Sequence, residues 1–461
     1  MSVTYNKINQ IIGSLLFLKN NHDVQFGEFV KIITNTGEER NGQIIRMDEE
    51  VLVLEVFQDT TGISSENSDI AFTGDLFKVK LSKDMMGGTF NSLGKPINIY
   101  TKKALESDIV SGVEREINGS PINPFAREYP TEIIQTGISV IDGLNTLIRG
   151  QKLPIFSGQG LSHNNLAAQI VTQAKVLTNE PFLVIFCGIG LLQDEAVFFL
   201  DKFKESGNIN NIVSFFNFID DPVMERLIIP RVALTAAEFF AFEKDMHVLI
   251  ILINMTNYAE ALRELSSARE EIPSRKGYPG YLYSDLASIY ERTGKIKGKK
   301  GSITQIPILT MPNDDITHPI ADTSGYITEG QIVLNRSMHK SGIYPPIELL
   351  ASLSRLMKDA IGEKTTRADH ADIASQLLAS YSESLDVKEL ISIVGEDSLN
   401  PYQKSLLNFN REFEAKFINQ EETENRSFED TLNIAWKVLA NIPKENLYRI
   451  HDKFVKKYYI G

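Results

Sequence analysis

The sequence predicts a multidomain chain: a small N-terminal β-barrel or meander, a central α/β domain on a mostly parallel sheet, and a C-terminal helical bundle. Three observations carry this. Residues 1–75 hold short β-rich segments separated by turns. Between residues 76 and 351, apolar strands alternate with helical stretches. From 352 to 461 apolar residues recur at helical spacing and no convincing strand remains. At 461 residues the chain exceeds what one hydrophobic core serves.

In the first region, Val30 to Thr34, Gly42 to Met47 and Val51 to Phe57 read as strands, with Asn35-Thr-Gly37 and Asp48-Glu-Glu50 as turns; Ile70 to Phe72 follows a polar loop. In the second, Lys152 to Phe156, Phe182 to Cys187, Ile212 to Phe218, Val248 to Ile253 and Ile303 to Leu309 are nearly continuous apolar runs. Such runs fit strands buried on both faces by helices. Leu166, Ile170, Ala174 and Leu177 predict one face of a helix after the first run. Pro222 to Lys244 predicts another helix, divided at Pro230 because proline lacks a donor and crowds the preceding turn. In the third region three sets have helical spacing: Ile373, Leu377, Tyr381; Leu406, Phe413, Phe417; and Leu447, Ile450, Phe454. Ser427 with Asp430 predicts a capping box. The polar stretch Lys358 to Asp369 predicts a mobile connection.

Composition narrows the function. With 42% hydrophobic and 23% charged residues the chain is of ordinary globular type. A formal charge of −13 argues against a dedicated nucleic-acid binder. Cys187 is the sole cysteine, so no intrachain disulfide or cysteine-rich zinc site can form, and the seven histidines show no metal-ligand spacing. Met1 to Leu18 lacks the pattern of a signal peptide, and Val248 to Ile253 is far short of a bilayer span. The expectation is a soluble cytoplasmic protein with no resident metal.

The most informative stretch is Leu153 to Leu166. An apolar strand enters a turn with Ser157, Gly158 and Gly160, and an amphipathic helix follows. A working phosphate-binding loop, G-x-x-x-x-G-K-[ST], needs its Lys for the β/γ-phosphates and its hydroxyl for Mg²⁺. Here His163, Asn164 and Asn165 occupy those positions. Glycine amides and a helix N-terminus remain, but the charge and the metal ligand are gone. The strand Val248 to Ile253 ends in Asn254, where a hydrolytic site would carry a Mg²⁺-supporting Asp. Each substitution alone is unremarkable for a strand-turn-helix connection; together they predict a nucleotide-machine fold that does not hydrolyse on its own.

Longer stretches resemble a known family. Gln135 to Asp142 and Ala233 to Glu238 are similar to segments of rotary ATPase head subunits. Met255-Thr-Asn-Tyr-Ala-Glu-Ala-Leu-Arg-Glu264, Arg275 to Tyr283, Gly301 to Pro312, Ser324 to Gln331 and Ser352-Leu-Ser-Arg-Leu356 together resemble the B subunits, or beta chains, of the V/A-type rotary ATPases. The likeness covers essentially the whole chain, and the length suits a prokaryotic member.

The resemblance implies a β-barrel, a RecA-like α/β domain with a degenerate phosphate loop, and a helical bundle. It implies a non-catalytic subunit, three copies of which alternate with three catalytic A subunits around a central shaft. Peripheral stalks hold this head at the cytoplasmic face, and the membrane is reached only through the membrane sector. ATP synthesis or hydrolysis is then coupled to proton or sodium transport. ATP or ADP with Mg²⁺ sits at the interface with the A subunit, and Arg355 of the Ser-Arg-Leu motif reaches it in trans. Tyr344, in Gly342-Ile-Tyr-Pro-Pro346, lines the same interface, and Ser157, Gly158 and Gly160 bind nucleotide weakly or not at all. In hydrolytic relatives a Gly-x-Gly-Glu turn supplies the carboxylate that polarises water; here Gly188-Ile-Gly190 is followed by Leu191, which cannot act as a base. Arg275 and Lys276 are expected in a solvated loop, and Ala351 stands where the family often has Pro. Two other readings compete: a free-standing hexameric ATPase of secretion or helicase type, and a pseudo-ATPase scaffold. The missing Lys opposes the first; the retained Ser-Arg-Leu motif opposes the second.

Overall fold

A computed structural model describes residues 3–5, 8–20, 24–65, 68–105 and 112–460. The chain opens with seven strands: β1 (Val3–Tyr5), β2 (Ile8–Ile12), β3 (Leu15–Lys19), β4 (Glu28–Ile33), β5 (Glu39–Met47), β6 (Val51–Val56) and β7 (Asp69–Leu76). They form one antiparallel sheet in the order β1-β7-β4-β5-β6-β3-β2. Alternation drives it: in β4, Val30 and Ile32 are fully buried while Lys31 and Ile33 are exposed. Leu16, Val30, Ile44, Leu54 and Ile70 from five strands meet in one apolar cluster. A single sheet whose inner faces pack on one another must curl round its own core, as a barrel does. β2 and β3 lie where the periodicity specifies no individual strand: a bulge between Ile8 and Gln10 breaks the alternation of β2, and β3 is nearly all apolar. Buried Glu55 of β6 pairs with Arg269, tying this sheet to the central region.

The central sheet contains β8 (Thr89–Phe90), β9 (Ile155–Gly158), β10 (Phe182–Leu191), β11 (Ile212–Phe218), β12 (His247–Ile253), β13 (Ser302–Met311), β14 (Gly330–Val333) and β15 (Leu353–Ser354), with Gly294–Lys295 alongside β13. Their order is β15-β14-β9-β13-β12-β10-β11-β8. All pairings along it are parallel except β14 with β15, and Gly294–Lys295 also pairs antiparallel. The predicted strands all lie here. β10, β11 and β12 are buried along nearly their whole length because helices cover both faces. These helices are α1 (Ser139–Leu144), α2 (His163–Gln173), α3 (Gln193–Glu205), α4 (Val223–Glu238), α5 (Met255–Ala268), α6 (Leu282–Tyr290), α7 (Pro319–Ile327) and α8 (Arg336–Lys340).

Two expectations fail in this region. α4 runs unbroken through Pro230 and continues as a π-helical turn, Phe239–Glu243. Leu227, Ile229 and Val232 are buried on either side of the proline, so packing against the sheet outweighs one lost backbone bond. Leu177 lies beyond α2, which ends at Gln173, and is exposed; Lys175–Val176 instead pairs with Ile134 and Gln135 as a short strand.

The C-terminal region holds α9 (Met357–Ala360), α10 (His370–Val394), α11 (Pro401–Glu412), α12 (Phe428–Leu439) and α13 (Asp452–Tyr458), with a π-helical turn at Phe413–Ile418 extending α11. Phe409, Phe413 and Phe417 stack at centroid separations of 5.3 and 5.1 Å. Ser427 and Asp430 form the expected capping box on α12. The spacing of Leu447, Ile450 and Phe454 misleads: only Phe454 is helical, because Lys444–Asn446 is a 3-10 turn and α13 begins at Asp452. The connection Lys358 to Asp369 is not loose. Asp369, fully buried, receives Arg367 Nε at 2.6 Å and Trp436 Nε1 at 2.8 Å. These helices share one apolar core with one face of the central sheet.

Candidate functional site

The C-terminal ends of β9, β10, β12, β13 and β14 converge on one edge of the sheet, where ligands of open α/β sheets bind. β9 delivers Ser157 and Gly158 to this edge. The chain then turns through Gly160, whose φ of +78° suits glycine, and enters α2 at His163. The strand, glycine turn and helix of a phosphate loop are therefore in place.

The mouth of the loop is occupied by the chain itself. A Cβ placed on Gly158 would lie 1.9 Å from Asp314 Oδ1 and 2.7 Å from Arg336 Nη2. Asp314 follows β13, and Arg336 opens α8 after β14. Their ion pair has two contacts, Nε to Oδ2 at 2.5 Å and Nη2 to Oδ1 at 2.8 Å, and Nη2 also donates to the carbonyl of Gln159 at 2.8 Å. The guanidinium holds the Asp314 carboxyl below the usual carboxylate range. Asn313 and Asp314 have φ of +56° and +57°, a left-handed backbone that aims this carboxylate at the loop.

The positions of the missing Lys and Ser/Thr are also engaged. His163 Nδ1 lies 3.1 Å from Ser157 Oγ, and burial lowers the imidazole pKa, so at neutral pH it brings no charge. Asn164 Nδ2 donates to Glu195 at 3.0 Å, and Asn165 donates to Glu422 of the C-terminal region. Leu191 is buried in the core at the end of β10. Of the two carboxylates that follow, Asp194 and Glu195, Glu195 caps α3 by accepting from the Leu192 amide at 2.9 Å. Asn254 accepts from the Thr256 and Thr310 amides at 2.9 and 3.3 Å and donates to Thr310 Oγ1 at 2.9 Å. It splices β12 to β13, and its carbonyl oxygen is committed to those two amides rather than to a hydrated metal. Among the described residues no group of three His, Cys, Asp or Glu side chains could hold a metal ion, and no helix is long and apolar enough to cross a membrane.

Arg355 lies at the other edge. β15 pairs antiparallel with the start of β14, Ser354 opposite Gly330, and Gly330 lies against Leu153 before β9. From Leu153 to Gly158 the strand runs about 16 Å. Arg355 therefore sits across the sheet from its own loop. Its backbone N–H donates to Glu329 O at 3.0 Å and Nη1 donates to Thr328 O at 3.2 Å. The side chain is exposed and forms no ion pair among the described residues. Ala351, in the Pro position, is steadied by Gln331 Nε2 on its carbonyl at 3.0 Å.

Tyr344 is half-buried: its hydroxyl donates to Gln169 of α2 at 2.9 Å, and its carbonyl accepts from the Gln420 amide at 2.7 Å. It lines a cleft with Asn419, Glu421, Glu422 and Glu424. Arg275 and Lys276 pair with Asp322 and Asp315 at 3.3 and 2.8 Å. Sequence reasoning missed Asp314, Arg336 and Glu422. The signal available for the first two was their place just after apolar strands of the parallel sheet.

Two family models match the chain. The ATP synthase alpha/beta family, nucleotide-binding domain, matches residues 137–354, and the C-terminal domain of V and A type ATP synthase matches residues 359–459. The V-type ATP synthase beta chain of Halothermothrix orenii is 52% identical over 458 residues, covering 99% of this chain and 98% of that one. The B subunit of the A-type ATP synthase of Aeropyrum pernix is 52% identical over 456 residues, covering 99% and 97%. A solved structure of the ATP synthase subunit NeqB from Nanoarcheaum equitans superposes with a TM-score of 0.73 at 40% identity, covering 93% of this chain and 98% of that one.

Proposed function

The chain belongs to the family of V-type and A-type ATP synthase B subunits, and on that premise we propose that it is the non-catalytic member of a rotary head. Three copies alternate with three catalytic A subunits, and each supplies Arg355 in trans to ATP or ADP with Mg²⁺ at the neighbouring A site. One observation carries the reading: the chain's own loop is filled by the Asp314–Arg336 pair, while Arg355 projects from the opposite edge of the same sheet with no ion pair among the described residues. A guanidinium so placed cannot serve its own loop and is available to a neighbour. It is permanently charged and can bond phosphate oxygens at two points.

In this reading residues 1–75, 76–351 and 352–461 are the barrel, the nucleotide-type domain and the helical bundle, except that β15 (Leu353–Ser354), a strand where the sequence predicts only helices, pairs with β14 and belongs to the central sheet. Central-shaft and peripheral-stalk subunits contact the head. The head couples ATP synthesis or hydrolysis to proton or sodium transport at the cytoplasmic face, and no nucleic acid is bound. Tyr344 lies on the surface toward the A subunit, and Ser157, Gly158 and Gly160 hold nucleotide weakly or not at all.

The test is ATP turnover by this chain alone, by its cognate catalytic subunit alone and by the mixture, with assembly followed by size exclusion. Turnover confined to the assembled mixture is expected. Robust hydrolysis by this chain alone would favour a free-standing hexameric ATPase.

A further inference from the structure

The segment that carries Arg355 is short and exposed, yet it is held from below by two adjacent buried residues. Gln151 is fully buried. Its Nε2 donates to Glu329 O at 3.1 Å and to Ser354 Oγ at 2.9 Å, and its Oε1 accepts from the Ile148 amide at 3.0 Å. Ser354 Oγ in turn donates to Thr146 O at 3.0 Å. The carbonyl of Glu329 that Gln151 engages is the one that accepts the Arg355 N–H at 3.0 Å. Lys152, only 2% exposed, places Nζ 2.7 Å from Glu329 Oε1 and 3.2 Å from Glu291 Oε1, while its backbone N–H donates to Glu329 Oε2 at 2.8 Å. Glu329 is thus fixed at both its carboxylate and its carbonyl. Gly330 lets β15 pass this close, since a Cβ there would lie 2.1 Å from Leu353 O.

We propose that Gln151 and Lys152 are positioning residues for Arg355: they clamp Ser354 and Glu329 on either side of its backbone and so aim the guanidinium out of the subunit. Buried polar groups that are all satisfied specify one geometry, and a 1 Å error in a catalytic group is costly. The inference rests on the trans-arginine reading. Neither residue touches nucleotide; both act through Arg355.

The experiment is a double-mutant cycle on the head assembled with the cognate catalytic subunit. Gln151→Met keeps the size and removes both donated bonds. The expected result is a normally assembled head, an unchanged KM for ATP and a kcat about ten- to a hundredfold lower. In an Arg355→Ala background the same change should leave the residual turnover unaltered. If Gln151→Met does not assemble, Ser354→Ala, which removes the two bonds of that hydroxyl to Gln151 and Thr146 and leaves the rest of the clamp in place, is put through the same cycle. Equal losses in both backgrounds, or no loss in either, would overturn the positioning role. Should Arg355→Ala by itself leave turnover intact, the trans-arginine reading fails instead. Lys152→Arg should retain turnover where Lys152→Met loses it.

Discussion

Arg336 and Asp314 meet in a two-point ion pair directly over Gly158, where a phosphate-binding loop would receive its ligand. The chain carries no loop lysine, yet a cation reaches the loop from the end of another strand, already neutralised by a carboxylate of the same chain. A phosphate approaching this loop meets the negative charge of Asp314 and must displace it from Arg336.

Nucleotide binding to the isolated chain should therefore be weak, with a calorimetric Kd above the low-micromolar range. Asp314→Asn removes the competing charge and should tighten binding of ATP or inorganic pyrophosphate severalfold. Both partners are more than a third exposed, at 38% and 40%, so solvent screens the pair and breaking it should leave the stability of the fold nearly unchanged. Unchanged affinity in the variant would show that the pair does not gate the loop.

Arg355→Ala should let the head assemble and cut its ATP turnover by roughly 10³–10⁵, about 4–7 kcal/mol of barrier. Among the described residues the side chain bonds only Thr328 O, so little of the fold depends on it. Arg355→Lys keeps the charge but not the fork, and should recover only part of the loss. Steady-state turnover with size exclusion on the same samples decides this; impaired assembly with normal turnover per head would count against a trans role.

Much of this architecture was legible in the sequence, and the exceptions have physical causes. β10 to β13 announce themselves as apolar runs because both faces are covered. The loop at Ser157 to Gly160 was legible because its glycine spacing is local. Asp314 and Arg336 were not, because they lie 156 and 178 residues from Gly158 and reach it only through the crossover order β14-β9-β13. Pro230 misled because propensity is local, whereas the burial of Leu227, Ile229 and Val232 is not. Arg355 came from a motif resemblance; nothing in its spacing shows that β15 turns back along β14 to the far edge of the sheet.

Gly143 joins the central region to the C-terminal helices at close range. A Cβ there would lie 2.9 Å from Phe417 Cζ and 3.0 Å from Thr431 Cγ2, both side chains in the packed core. Gly143→Ala should destabilise the chain by about 1–3 kcal/mol through overpacking, read as a lower midpoint in chemical unfolding. Gly207→Ala is the contrasting case: nothing lies within 4 Å, and its φ of +70° is the only source of strain. A Gly143→Ala variant as stable as wild type would mean that the π-helical turn yields.

His370 opens α10, buried between the same two regions. Its Nε2 donates to Gly143 O at 2.9 Å, and Nδ1 lies 3.0 Å from Thr366 Oγ1, so the ring is held as the neutral Nε2–H tautomer. Burial pushes its pKa down to about 4, against an ordinary 6.5, with Asp369 opposing and Arg367 reinforcing the shift. The sign follows from proton uptake. The unfolded chain takes the proton near pH 6.5 and the folded chain only near pH 4, so this site's stability is intact above 6.5 and falls between those values. At about 1.36 kcal/mol per unit the loss amounts to about 3 kcal/mol below roughly pH 4. His370→Gln preserves a donor for Gly143 O without the titration. The difference in unfolding free energy between variant and wild type should move in the variant's favour as pH drops from 6.5 to about 4. A difference that stays flat over that range would show that His370 does not link acid to unfolding.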